Sequence, residues 1–218
     1  MVRVRIVIDN EAQPGFKSDW GFSCLIETGN QNLLFDTGYS GDILAFNLQQ
    51  FHVQRETIDT IVLSHEHSDH VGGLNAVLHP GVTVFMPRSF SRRFKHAVAQ
   101  VAEVVDVTLP RAIVPDVYTT GELGAGQKEQ SLVLETPKGM VVVTGCAHPG
   151  LEAIIAAAAT FGKLYSVIGG FHSFNQLELL REFDLIVPCH CTAHKREILA
   201  RYPEKTKRCG SGMVLELG

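Results

Sequence analysis

The stretch of sequence that decides the fold is residues 64–73, Ser64-His65-Glu66-His67-Ser68-Asp69-His70-Val71-Gly72-Gly73, which directly follows the apolar segment Thr60–Leu63. Because the end of that segment is apolar at successive positions, we expect a strand covered on both faces, with a turn after it. In such a turn His65 and His67 can converge on one ion, while Asp69 and His70 point toward a second. The spacing therefore predicts a metal site, and a solvated, histidine-rich loop is the alternative.

Histidines also follow two other apolar segments. Met140–Thr144 is followed by Cys146 and His148, and Leu185–Pro188 is followed by His190. A single histidine after a strand is more often a hydrogen-bonded structural residue, but three strand ends that each deliver histidines indicate a shared metal site. Cys146 could ligate as a thiolate, or it could be a small buried residue beside the site.

Short β-type segments recur along the whole chain, and helical segments lie between them. Strands lead in the first third and strand–helix alternation follows, which predicts one layered α/β or α+β domain over residues 1–218. Residues 108–128 have the weakest pattern and could join two halves of that domain. The predicted helices cover residues 41–51, 90–104, 149–161, 174–183 and 192–201. The predicted strands are Val2–Ile8, Phe22–Ile26, Asn32–Phe35, Thr60–Leu63, Thr83–Met86, Ser131–Glu135, Met140–Thr144, Leu164–Ile168, Leu185–Pro188 and Gly212–Leu217.

Composition and charge disfavour several classes of protein. With 19 Lys plus Arg against 23 Asp plus Glu, the formal net charge is −4, which argues against a general nucleic-acid-binding protein. No apolar run approaches the roughly 18 residues that span a bilayer, and the N-terminal segment alternates instead of forming the apolar centre of a signal peptide. Five cysteines in 218 residues predict reduced thiols in a cytoplasmic protein rather than a disulfide framework. The oligomeric state stays open.

Residues 63–74 resemble the signature of the metallo-β-lactamase superfamily, and Leu33–Gly38 resembles its first motif, a strand that ends in an aspartate. By this resemblance Asp36 orients the metal-site groups through hydrogen bonds and does not ligate, although an ordinary aspartate at a strand end is the alternative. Further matches make the chain similar to one branch, the 7,8-dihydropterin-6-methyl-4-(β-D-ribofuranosyl)-aminobenzene-5′-phosphate synthase-like metallohydrolases. All the matches together span residues 33–192, and the further ones are Glu129–Leu132, Thr144–Gly150, Gly169–His172 and His190–Thr192.

The resemblance implies a four-layer αβ/βα sandwich, with two mixed sheets face to face, helices outside, and two pseudo-halves at roughly residues 1–110 and 111–218. It also implies two divalent ions, by default zinc, with iron or manganese as alternatives. The chain departs from the superfamily pattern because no histidine lies in residues 124–131 and Cys146 stands where a bridging aspartate is expected. We expect His148 to compensate for one of these losses, and whether Cys146 or His148 replaces the aspartate is open. The expected ligands are His65, His67 and His148 for one ion, and Asp69, His70 and His190 for the other.

By the same resemblance the chain is a metal-dependent hydrolase in which water, activated to hydroxide by the ions, attacks a phosphate ester or a pterin-linked phosphate. Asp69 would orient the hydroxide, and His172 would act on the substrate as an acid or base, unless its role is structural. Ser211 and Lys207 lie near a small-residue turn that could hold a phosphate, with an ordinary tight turn as the alternative. The expected partner is a small, anionic substrate, without nucleic acid or membrane. The alternatives are a lactonase or thioesterase of the same fold, a pterin-pathway transferase, and a non-hydrolytic metal-binding redox or sensor protein.

Overall fold

Two β-sheets packed face to face form the centre of the protein. The computed structural model describes residues 2–29 and 31–218. The strands are β1 Val2–Ile8, β2 Ser23–Thr28, β3 Gln31–Phe35, β4 Thr60–Val62, β5 Thr83–Pro87, β6 Glu103–Val107, β7 Arg111–Val114, β8 Val117–Thr119, β9 Leu132–Thr136, β10 Gly139–Thr144, β11 Leu164–Gly170, β12 Leu185–Cys189 and β13 Val214–Glu216. The first sheet has the order β13-β1-β2-β3-β4-β5-β6, and the second has the order β12-β11-β10-β9-β8-β7. The last strand therefore returns to the sheet built by the first half of the chain.

Helices cover the outer faces of both sheets and complete four layers. The helices are α1 Gly41–Gln50, α2 Ser68–Val71, α3 Arg92–Ala99, α4 Leu151–Ala158 and α5 Lys195–Arg201. One apolar cluster fills the space between the sheets, a second packs α1 and α3 on the first sheet, and a third packs α4 and α5 on the second. Within the described ranges, none of these helices has the length and apolar content needed to cross a membrane. The predicted αβ/βα sandwich is confirmed.

Parallel strands bring several strand ends to one edge of the sheets. β3 and β4 are parallel in the first sheet, and β10, β11 and β12 are parallel in the second. Because the carboxyl ends of parallel strands meet at the same edge, the turns that follow them lie close together. Those turns carry Asp36, residues 64–70, residues 146–148, His172 and His190.

Two helical segments differ from the sequence prediction. The helix predicted over residues 90–104 ends at Ala99, and Glu103–Val107 forms β6, parallel to β5. β6 is an edge strand with exposed Glu103 and Asp106, so its sequence lacks the apolar run of a buried strand. Residues 108–128 contain the hairpin β7–β8, and the predicted helix at 174–183 is a 3₁₀ helix at Leu177–Glu182.

Cysteine pairing is a second difference. The prediction of reduced thiols is wrong for Cys189 and Cys209, which form a disulfide with Cα atoms 5.2 Å apart. The pair links the end of β12 to the turn before β13. Cys24, Cys146 and Cys191 are free. The cytoplasmic location, which rested partly on reduced thiols, stays a prediction.

Asn47 of α1 fixes the long loop between β1 and β2. Its side chain is buried, and its Nδ2 donates to the carbonyl oxygens of Val7 and Lys17, each at 2.7 Å. Its Oδ1 accepts a hydrogen bond from the Lys17 backbone N–H at 2.9 Å. One buried amide thus ties the loop to both the strand and the helix.

We predict that Asn47→Ala lowers the free energy of unfolding by about 2–4 kcal/mol, because the buried backbone groups that bonded the amide lose their partner. Urea denaturation of the variant and the wild type measures the change. Gln49→Ala, on the exposed side of the same helix, is the control and should change stability by less than about 0.5 kcal/mol. Equal effects of the two substitutions would contradict the anchoring role of Asn47.

Candidate metal centre

His65, His67 and His148 form a first donor set. His65 and His67 lie in the turn after β4, and His148 lies in the loop after β10. One nitrogen of each imidazole lies within 4.8 Å of the chosen nitrogens of the other two. His65 Nε2 is 3.1 Å from His67 Nδ1, and the ring centroids of His65 and His148 are 4.7 Å apart. The structure thus brings together the three residues that the sequence assigns to one ion.

Asp69, His70, Cys146 and His190 form a second donor set. Asp69 Oδ2 is 3.1 Å from His190 Nε2 and 3.7 Å from His70 Nε2, and His70 Nε2 is 3.0 Å from Cys146 Sγ. One donor atom of each residue lies within 4.8 Å of the others. The sequence left open whether Cys146 or His148 stands in for the bridging aspartate. In the structure the Cys146 thiol lies with this set, whereas His148 lies with the first.

Asp36 and Ser64 orient the imidazoles of His65 and His70 through their Nδ1 atoms. Asp36 Oδ2 accepts hydrogen bonds from His70 Nδ1 and from the Ser64 hydroxyl, both at 2.7 Å, and Ser64 Oγ is 2.8 Å from His65 Nδ1. With the hydroxyl proton on the Asp36 side, this network assigns the Nδ1 protons to His65 and His70. Their Nε2 atoms are then free to act as ligands. This contact pattern matches the orienting role expected of Asp36.

Asn10 and Asp9 hold His190, and the sequence analysis missed both. His190 Nδ1 is 2.9 Å from Asn10 Oδ1, and the His190 backbone N–H donates to Asp9 Oδ1 at 2.7 Å. Both residues directly follow residues 6–8, the apolar end of β1. A polar pair after an apolar run is the same signal that identified the other strand ends. This signal could have identified Asp9 and Asn10 from the sequence.

Glu129 shapes the loop that carries Cys146 and His148. Its buried carboxylate accepts four backbone hydrogen bonds at 3.0–3.1 Å, from the N–H groups of residues 145–148. Burial raises the pKa of Glu129, and these hydrogen bonds oppose that shift. Glu129 is absent from both donor sets and instead positions one ligand of each. The sequence identified Glu129 only as the start of the matching segment Glu129–Leu132 and did not reveal this positioning role.

The electrostatic environment keeps three of the donor groups, His65, His148 and Asp69, in the protonation states that bind metal. Burial, followed by the charge of His70, lowers the pKa of His65, and burial followed by His67 lowers the pKa of His148 to about 4. Burial would raise the pKa of Asp69, but the hydrogen bond with His190 and the charge of His70 outweigh it and lower the pKa to about 2. At neutral pH these two imidazoles are neutral and the carboxylate is ionised, as ligands must be.

Strained backbone is concentrated at this edge of the sheets. Asp36, Ala147, His172 and His190 all have positive φ angles, between 41° and 60°. Such angles are uncommon for residues other than glycine and persist only where surrounding contacts enforce them. Here the enforcing contacts include those of Glu129 and Asp9 described above. The strain accompanies the placement of the donor groups.

The residues present fit divalent metal ions. His148 Nε2 is buried and has no hydrogen-bond partner. A buried, unpaired nitrogen of this kind is unfavourable unless a cation binds to its lone pair. The five histidines, one carboxylate and one thiol of the two sets are all ligand types that zinc accepts. Iron and manganese remain compatible with most of this set.

His172 lies at the rim of the centre, outside both donor sets. Its imidazole is exposed, and its ring centroid is 4.9 Å from that of His148. Both residues line an open cavity of about 430 Å³. This position is compatible with the predicted action on a substrate, which stays a prediction.

The structure does not bring Ser211 and Lys207 together as a phosphate-binding site, so their predicted role gains no support from it. Ser211 is fully buried, and its hydroxyl already accepts from the Asp9 backbone N–H at 2.9 Å and lies 3.4 Å from the Asp9 carbonyl. Lys207 is exposed, and its backbone N–H bonds Ile186 near the start of β12. Ile186 lies near the opposite end of β12 from His190. At 3.3 Å per residue, the two residues are roughly 13 Å apart along the strand. The segment is a structural turn.

The metallo-β-lactamase superfamily model matches residues 21–187, well over half of the chain. The chain belongs to the metallo-β-lactamase superfamily. Proteins of this superfamily are generally metal-dependent hydrolases that use divalent ions, typically zinc. The matched region contains all but one of the donor residues described above, His190 being the exception.

Similar proteins cover nearly the whole chain. The 7,8-dihydropterin-6-methyl-4-(β-D-ribofuranosyl)-aminobenzene-5′-phosphate synthase of Methanocaldococcus jannaschii is 25% identical, over 92% of this chain and 91% of that protein. The crystal structure of Tm1679, described as a metal-dependent hydrolase of the β-lactamase superfamily, has a TM-score of 0.84 at 26% identity and full coverage of both chains. A diphosphatase from the PhnP family shares the fold, with a TM-score of 0.67, 14% identity, and coverage of 98% of this chain and 96% of that one.

We predict that Glu129→Gln weakens metal binding by about 10- to 100-fold while the chain stays folded. In any orientation of the new amide, its NH₂ group faces at least one of the four backbone N–H groups, so the 145–148 loop loses part of its support. Zinc affinity is measured by competition with a chromogenic chelator, and folding by circular dichroism. Glu135→Gln, an exposed change on β9, is the matched control and should leave affinity unchanged. Wild-type affinity in Glu129→Gln would show that the carboxylate does not position the ligands.

Proposed function

We propose that the protein is a binuclear metal-dependent phosphoesterase that acts on a small, anionic substrate. The observation that carries the proposal is the adjacency of the two donor sets, since the ring centroids of His65 and His70 are only 4.2 Å apart. Ions held by the two sets would lower the pKa of a water molecule and offset negative charge on the leaving oxygen. The two donor sets are close enough to serve the same ester group.

Two side chains of this centre would act on the reacting atoms. Asp69 is partly exposed and ionised, and its second carboxylate oxygen can accept a hydrogen bond from a water molecule and so orient it. His172 lies on the solvent side of His148 and can give a proton to the leaving oxygen. Asp36, Glu129 and Asn10 hold the ligands and do not contact the substrate.

Similarity and charge support a phosphate-bearing substrate. The similar synthase of M. jannaschii carries a pterin-linked phosphate in its name, and a diphosphatase shares the fold. Three cationic side chains, Lys195, Arg196 and Arg208, line an open cavity of about 600 Å³ and outnumber its two carboxylates, Glu11 and Glu197. Lys195 Nζ is 3.9 Å from Asp9 Oδ2, and Asp9 Oδ1 accepts a hydrogen bond from the His190 backbone N–H, so Lys195 lies on the His190 side of the centre. An anionic substrate would approach this side favourably.

A carboxylic ester or lactone is the second candidate substrate. The cavity beside His148 is lined by Glu152, His172, Asn175 and Gln176, and no lysine or arginine contributes to it. A neutral ester would suit that lining better than a phosphate. The two cavities therefore favour different ester classes. Hydrolysis of a phosphate ester would identify a phosphoesterase, and hydrolysis of a carboxylic ester or lactone would identify a lactonase or thioesterase.

We predict that the zinc-loaded protein hydrolyses bis(4-nitrophenyl) phosphate and leaves γ-nonalactone intact. The ions stabilise the charge on a phosphodiester, and the cationic side chains attract it. Release of 4-nitrophenol is followed by absorbance, and lactone opening by a pH indicator. Chelator-treated protein is the control and should be inactive. Lactone opening without phosphodiester cleavage would replace the proposed activity with the second candidate.

We predict that His148→Ala and His190→Asn each bind about one ion per chain where the wild type binds two, because each removes a ligand from only one donor set. Asparagine is chosen at residue 190 because it tolerates the positive φ of that position. Elemental analysis after dialysis against metal-free buffer gives the stoichiometry. His96→Ala, on the exposed face of α3, is the control and should retain two ions. Two ions in both variants would remove these histidines from the proposed ligand sets.

A further inference from the structure

Trp20 is an exposed aromatic residue at the rim of the metal centre. The chain has one tryptophan, and 58% of its surface is accessible to solvent. A large apolar ring in water is unfavourable by itself, and single exposed apolar residues are common on proteins. The position of this ring, more than its exposure, indicates a function.

The Trp20 ring lies against a residue of the second donor set. Its centroid is 5.0 Å from that of the His190 imidazole, at an interplanar angle of 67°. His190 Nε2 in turn is 3.1 Å from Asp69 Oδ2. An edge-on contact of this kind uses only part of the ring surface, so most of the indole stays available beside the reacting position.

The neighbours of Trp20 hold its backbone firmly. Asp19 Oδ2 accepts a hydrogen bond from the Ser40 backbone N–H at 2.8 Å, and the Gly21 backbone N–H donates to Asn10 Oδ1 at 3.4 Å. Gly21 has a φ of +123°, and a Cβ there would collide with the Asp69 carbonyl oxygen. The loop therefore packs directly on the turn that carries Asp69, and the exposed ring sits on an anchored backbone.

A second exposed aromatic residue lies on the neighbouring loop. Tyr39 is 57% exposed and precedes Ser40, the residue that Asp19 bonds. In the described part of the chain, Trp20 and Tyr39 are the aromatic residues classed as exposed. The Tyr39 backbone carbonyl packs against Gly72, next to the helix that carries Asp69 and His70.

We infer that Trp20 is a substrate-binding residue that stacks on a planar aromatic or heteroaromatic ring of the substrate. The inference rests on the proposed function and narrows it to esters whose alcohol or acid part carries such a ring. Stacking on the indole would hold the ring beside His190 while the ester lies over the donor sets. Aromatic stacking of this kind changes affinity by roughly two- to tenfold beyond simple apolar contact.

The test uses two zinc-binding probes that differ only in the ring, which is planar and aromatic in phenylacetohydroxamate and saturated and puckered in cyclohexylacetohydroxamate. The hydroxamate anchors each compound to metal whichever ester the enzyme cleaves. Calorimetric titration of the zinc-loaded wild type, Trp20→Phe and Trp20→Leu gives the affinities. We expect the wild type and Trp20→Phe to bind the phenyl compound several-fold more tightly than the cyclohexyl compound, and Trp20→Leu to lose that preference. Emission from the single tryptophan should also shift when the phenyl compound saturates the wild type.

The outcomes separate the two proposals. Equal affinity of the wild type for both probes, or an unchanged preference in Trp20→Leu, overturns the stacking role and leaves the metal centre intact. Failure of the wild type to retain zinc overturns the metal centre, and the stacking role with it, whereas failure of both probes to bind zinc-loaded wild type overturns the stacking role alone. Zinc stoichiometry and circular dichroism of each variant show whether a lost preference reflects unfolding.

Discussion

Crowded imidazoles, of which those of His65, His70 and His190 are buried, impose the constraint on which the rest of the structure depends. Neighbouring ring centroids among His65, His67, His70 and His148 are 4.2–4.9 Å apart, and that of His190 lies 5.2 Å from that of His70. Several positive charges could not share this volume, because burial and mutual repulsion both penalise the protonated rings. Unpaired nitrogens would also be costly there. The cluster is therefore stable only if its rings are oriented by neighbours and the free nitrogens of each donor set face a cation.

Polar residues from distant parts of the chain provide that orientation. Asp36 and Ser64 direct two Nε2 atoms, Asn10 and Asp9 hold His190, and Glu129 fixes the loop of Cys146 and His148. Each supporting group is itself buried or bonded to backbone, so the ligands cannot easily rotate away. Such preorganisation keeps a reacting centre in its productive geometry without a cost at each turnover. The positive φ angles at this edge are tolerated because the same contacts enforce them.

The strands of the core were readable from their apolar runs. Val2–Ile8 was predicted with its observed bounds, and most other strands were displaced by only one or two residues. The sequence did not predict β6, because the pattern of an edge strand with exposed charged residues resembles a continuation of the preceding amphipathic helix. The sequence did not predict the hairpin β7–β8, because its strands are short and only partly buried. In both cases pairing with a neighbouring strand, which local sequence does not record, decides the conformation.

The sequence by itself determined the superfamily, the layered α/β class and the ligand types, because metal chemistry restricts ligands to a few side chains and the cluster at residues 65–70 is local. It also indicated that histidines from three strand ends would meet, since parallel strands align their carboxyl ends. Only the tertiary structure decided which donor set receives Cys146, that Glu129 positions ligands, that Ser211 is buried, and that Cys189 pairs with Cys209. These depend on contacts between residues far apart in the chain. Their distances follow from how the two sheets and their loops pack, and no local pattern encodes that packing.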